Sequence, residues 1–116
     1  RDVQRLAEFM NWTRLLGVSA GDPATEQDRF THLWTLWEAA VKCDGVTVFA
    51  GTAPAFERLA PQCLPGTEQS WSAGGYWAHS RRLDRRHWLT VVAACPTPPS
   101  LEIHRLGMPA ALARQV

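Results

Sequence analysis

The chain has 116 residues, 46% of them apolar and 20% charged, with a formal net charge of +1. That length gives one domain, residues 1–116, large enough to bury a core without help from metals or disulfides, and the composition excludes a disordered chain. No apolar run approaches the ~20 residues of a membrane span, and no charged-then-apolar leader opens the chain. It begins at Arg1 without a methionine, as a domain cut from a longer chain would.

The predicted elements, in chain order, begin with a helix. Asp2 caps it, Val3, Leu6, Phe9, Met10, Leu15 and Leu16 recur at helical spacing, and Gly17 ends it. Asp22-Pro23 starts a second helix, a capping side chain followed by proline at the first helical position. Its apolar stripe is Phe30, Leu33, Trp34, Trp37 and Val41, and Asp44-Gly45 breaks it. Residues 46–50 read as a short buried strand between two glycines. Thr52 is placed to cap a short helix that has Pro54 just inside it and stops at Pro61. Residues 61–74, rich in proline, glycine and polar side chains, read as a long irregular connection, a kind of segment that is often functional or mobile.

A β-hairpin follows, with arms 75–80 and 87–95. Pro96-Thr97-Pro98-Pro99 reads as a rigid linker, Leu101–Leu106 alternates as a half-exposed strand, and Pro109 opens a short last helix through Ala113. The expected fold is therefore α+β: two N-terminal helices, a strand, a short helix, then a mainly antiparallel three-stranded meander with a short C-terminal helix.

Charge is concentrated at the hairpin turn. Arg81, Arg82, Arg85 and Arg86 lie within six residues, His79 and His87 sit in the arms, and Trp77 and Trp88 flank them. Residues 51–116 carry seven basic and four acidic groups against five and seven in residues 1–50, so a local basic patch fits a nearly neutral molecule. Eleven of the twelve basic residues are arginine, whose planar guanidinium matches phosphate and carboxylate oxygens two at a time. A hairpin tip also carries charge simply to stay soluble and to blunt its edges.

Strand alternation puts Trp77, His79 and Arg81 on one face. Pairing Ser80 with His87 sets His79 opposite Trp88 and sends the two histidines to opposite faces, so no metal site is expected there. Cys43, Cys63 and Cys95 are odd in number and widely spaced, without the spacing of a zinc or redox motif. They suit a reducing compartment, so the expected location is intracellular, cytoplasmic or nuclear. Cys43 lies at the end of a helix that disfavours a thiolate, and no local nucleophile signature surrounds any cysteine. Gly51-Thr52 has the strand-to-helix geometry of an anion site but lacks a P-loop lysine and a dinucleotide fingerprint, so no cofactor is expected.

These patterns favour a non-enzymatic module that grips a nucleic acid backbone through Arg81, Arg82, Arg85 and Arg86, with Trp77 or Trp88 stacking on a base and His79 and His87 beside them. A net charge of +1 is small for such a domain. The alternatives are a Trp/Arg surface for an acidic protein partner and a small enzyme with its site at the 61–74 segment and the histidines at its rim.

Overall fold

In a computed structural model of the chain, Trp12 and residues 23–47, 53–66, 68–95 and 110–114 are described, the last of these for backbone alone. The expected first helix, most of the strand from Val46, the Thr52 cap, the proline linker and the strand at 101–106 lie outside these residues.

Helix α1 spans Pro23–Asp44, as the Asp-Pro start and the apolar stripe predict. Its end is a Schellman closure: Gly45, at φ 73°, donates to Lys42 O at 3.3 Å, and Val46 donates to Val41 O at 2.9 Å. The buried face is wider than the expected stripe. Phe30, Leu33, Trp37 and Val41 are buried, but so are Leu36, Ala39, Ala40, His32 and Thr35. Trp34 is only half-buried, stacked on Phe30. The extra burial arises because α1 is covered on two sides, by the sheet and by helix α2 (Pro54–Leu59), which continues as a 3₁₀ turn over Ala60–Gln62. Trp12 fills the space between, its ring 5.2 Å from Phe56 and 5.4 Å from Phe30.

No side chain of its own N-cap closes α2, whose N-cap is Ala53. Asp44, at the end of α1, does so instead. Its Oδ2 accepts from the Ala55 N–H at 2.8 Å, while its Oδ1 accepts from Tyr76 O–H at 3.1 Å. One carboxylate thus ties α1, α2 and the sheet.

The sheet is an antiparallel meander in the order β1-β2-β3-β4. Strands β1 (Glu68–Ala73) and β2 (Tyr76–Arg82) are joined by Gly74-Gly75, both at positive φ (58° and 88°), the conformation of the tightest hairpin turns. Much of the expected irregular connection is therefore a strand. Strand β3 (Trp88–Ala93) pairs with β2 in the register Ser80↔Thr90 and Arg82↔Trp88, not the expected Ser80 opposite His87. The arms run two residues further before the turn begins at Leu83. Strand β4 (Ala110–Arg114) pairs along β3, from Leu89↔Arg114 to Ala93↔Ala110. A short helix opened by Pro109 was expected there; alanine and leucine form helices readily, but pairing along the open edge of β3 overrides that propensity. The fold is α+β, with Ala78, Ser80, Thr90 and Val92 on the sheet face that packs on α1 and the core.

Candidate functional site

Strand alternation sends neighbouring residues of the hairpin into different environments. Even-numbered positions of β2 and β3 face α1. Trp88 is 1% exposed; its indole donates to Asp28 Oδ1 at 3.0 Å and its ring stacks on His32 at 3.8 Å and 4°. Arg82 donates to the other oxygen of Asp28 at 2.6 Å and holds its guanidinium 5.2 Å from the Trp88 ring centroid. Both side chains are consumed internally. Trp88 offers no face to a base, and Arg82 is already neutralised.

Behind this pair lies a buried polar seam. Thr35 Oγ1 sits 2.7 Å from Thr90 Oγ1, which sits 3.2 Å from Ser80 Oγ, so the buried hydroxyls satisfy one another. His32 is held neutral, its pKa lowered to about 3 by burial first and then by Arg29 and Arg82. Cys63 Sγ is 3.6 Å from His32 Nε2. Burial pushes that thiol up, against a smaller downward pull from Arg29, which also donates to Cys63 O at 2.6 Å. Burial thus opposes both halves of a thiolate–imidazolium pair, and the contact reads as packing of two neutral groups. No disulfide joins Cys43, Cys63 or Cys95.

The turn at 83–87 is built on Asp84. Its Oδ1 accepts from the backbone N–H groups of Arg86 and His87 at 2.8 and 2.9 Å and lies 2.7 Å from His87 Nδ1. The Arg86 N–H and then the His87 side chain hold this carboxyl below its ordinary value. The acid that dilutes the basic cluster in the sequence is what shapes it in space. Asp84 spends one oxygen on the loop backbone while remaining exposed, and Arg85 and Arg86 stand exposed beside it. They and His87 form one wall of a groove of about 450 Å³, opposite Ala24, Gln27 and Thr31 in the first turns of α1. Asp28 also lines it, but both its oxygens are engaged. The groove rim is net positive and faces the positive end of a helix dipole.

Odd-numbered positions of β2 face away from α1, where Trp77, His79 and Arg81 share a face as their spacing predicts. Trp77 is 8% exposed, so it too offers little surface for stacking; its indole N–H has no acceptor among the described residues. His79 is engaged on both ring nitrogens. Nδ1 lies 2.6 Å from Ser70 Oγ and Nε2 lies 3.2 Å from Glu68 Oε2. Arg81 is exposed. The expected ring of four arginines is therefore divided: Arg81 on the outer face, Arg82 inside, Arg85 and Arg86 at the groove. Ser70 and Glu68 are absent from the residues the sequence singles out, because 61–74 reads there as an irregular connection. Gly74-Gly75 is the signal that finds them: two glycines between polar-apolar runs mark a hairpin turn, and that turn pairs Ser70 with His79.

Among the described residues no three His, Cys, Asp or Glu side chains gather as a metal set, and no helix is long and apolar enough to cross a membrane. The fold and site define an α+β domain with a positively charged hairpin groove. Comparison with known proteins gave no matching family model, no matching curated protein and no matching solved structure, so function rests on the chemistry of the site.

Proposed function

We propose that the protein binds a nucleic acid backbone through Arg85 and Arg86, with one phosphate seated in the groove between the hairpin tip and the start of α1. The observation that carries this reading is the exposure of two adjacent arginines on a groove whose lining acid, Asp28, is already paired. Guanidinium forks suit phosphate oxygens, and the helix start adds a favourable field. With Trp77 and Trp88 buried, the base-stacking part of the sequence expectation is dropped. Binding is then sequence-independent and strongly salt-dependent.

Titration of a fluorescent duplex DNA across a salt series tests this. Arg85→Ala/Arg86→Ala should weaken binding to every sequence alike and lower the salt slope by about 0.9, the amount for one phosphate no longer neutralised. Parent protein that fails to bind duplex and single strands at low salt, or a double variant that binds as the parent does, would overturn the reading. Capture of an acidic protein in place of DNA would assign the same groove to a protein partner.

A further inference from the structure

The outer face of the sheet carries a second cluster, independent of the arginine groove. In the β1–β2 ladder Ser70 lies directly opposite His79, and Glu68 lies opposite Arg81. Directly paired and diagonal positions are where side chains meet across a ladder. The pairing therefore brings a hydroxyl, an imidazole and a carboxylate together without help from any loop. Ser70 Oγ is 2.6 Å from His79 Nδ1, and His79 Nε2 is 3.2 Å from Glu68 Oε2. With the ring proton on Nε2, that nitrogen donates to the carboxylate and Nδ1 accepts from the serine hydroxyl. This is the order of roles in a nucleophile–base–orienting-acid set: the base bonded to the nucleophile, the acid bonded to the far side of the base. Ser70 and Glu68 are exposed, so a substrate can approach. Val91, opposite His79 on β3, and Leu89 beside it are half-buried and give an apolar floor on the same face.

We propose that Ser70 is an acyl-accepting nucleophile, with His79 as its general base and Glu68 positioning the ring. Ser70 Oγ forms a bond to the ester carbonyl carbon while its proton passes to His79 Nδ1. Glu68 stabilises the resulting imidazolium through Nε2–H. The tetrahedral centre then collapses, the bond to the leaving oxygen breaks, and that oxygen departs with the electron pair, taking the proton from His79 or leaving it to solvent. Water, deprotonated by His79, attacks the acyl-serine, and the serine oxygen regains a proton as the acid is released. Arg81, exposed on the same face opposite Glu68, is the cation available to the oxygen that becomes negative. A strand ladder spends backbone N–H groups on inter-strand hydrogen bonds, and preformed backbone donors supply much of the power needed for poor leaving groups. The substrate class is accordingly esters with good leaving groups, such as aryl esters, and not amides. This inference neither needs nor excludes nucleic acid binding, since its variants leave Arg85 and Arg86 in place.

The probes are p-nitrophenyl acetate and a fluorophosphonate, followed by release of nitrophenolate and by peptide mass spectrometry. The parent should carry one acyl or phosphonyl group on Ser70. Ser70→Ala and His79→Ala should each slow nitrophenolate release by about 100-fold or more, the usual reach of a positioned base. Glu68→Gln should lower the maximal acylation rate about tenfold at an unchanged half-saturating ester concentration, the pattern of an interaction made only in the transition state. Ser72→Ala, exposed on the same strand and face, should react like the parent, and circular dichroism should show every variant folded. Label found elsewhere than Ser70, or release that survives Ser70→Ala because the imidazole attacks the ester directly, would overturn the proposal. So would His79→Ala labelled as fast as the parent.

Discussion

Arg81 and Arg82 are adjacent, yet they live in different regions of the molecule. Arg82 is locked between Asp28 and the Trp88 ring; Arg81 stands in solvent on the other face of the same strand. His32 and His79 form a similar contrast. The first is buried, neutral and stacked on Trp88. The second is partly exposed and bonded to a serine and a glutamate. The same residue types serve stability on the inner face and stand available for chemistry on the outer one. A period of two decides which.

That contrast predicts a gradient of mutational cost. Trp88→Ala should be the most damaging change, lowering stability by about 3–5 kcal/mol. It empties a fully buried site, strips His32 of its stacking partner and leaves one oxygen of Asp28 unpaired. Chemical denaturation of variant and parent measures it, and a midpoint within error of the parent would break the inner-face assignment.

Acid should act on the inner face next. The folded-state pKa of His32 is lowered to about 3 from 6.5, so the unfolded chain binds this proton more readily than the folded one. The stability linked to it is fully present above pH 6.5 and is lost as pH falls from there toward 3. The slope is at most about 1.4 kcal/mol per pH unit, or about 2 kcal/mol by pH 5. Unfolding midpoints at pH 7 and pH 5 should separate clearly in the parent and converge in a folded His32→Gln variant. Equal pH sensitivity in both would place the effect elsewhere.

The arginine pair gives the smallest and sharpest comparison. Arg82→Ala leaves Asp28 without its cation in a half-buried setting and should cost about 1–3 kcal/mol. Arg81→Ala should stay within about 0.5 kcal/mol of the parent. Equal costs, measured by the same denaturation, would show that alternation does not sort these side chains.

Much of the inner region was legible from residue pattern. The Asp-Pro start, the stripe from Phe30 to Val41 and Gly45 bound α1 closely, and the alternation in 76–82 placed Trp77, His79 and Arg81 together. Strand β1 was not legible. Its sequence, Glu-Gln-Ser-Trp-Ser-Ala, is short of β-branched residues, and it forms because β2 offers it a partner and Trp71 donates to Leu59 O at 2.9 Å. Strand β4 was hidden for the same reason, helix-forming residues paired by context. The partner of Arg82 and Trp88 was out of reach too. Asp28 lies 54 and 60 residues before them, and no local pattern announces a contact of that range.

The Gly74-Gly75 turn touches neither the groove nor the outer cluster, yet it governs which residues β1 shows to solvent. A two-residue turn closes the hairpin at Ala73↔Tyr76 and so fixes the count of every pair beyond it. A slip by one would turn Glu68, Ser70 and Ser72 toward the core and expel Trp71, now held against Leu59. The misaligned strand would turn that polar row inward and an indole outward, against the pattern that a sheet with one covered face imposes. Positive φ at both residue 74 and residue 75 favours glycine at each and holds the turn to two residues. The wrong pairing excludes itself, and the outward row of Glu68, Ser70 and Ser72 is inherited from two residues that have no side chains at all.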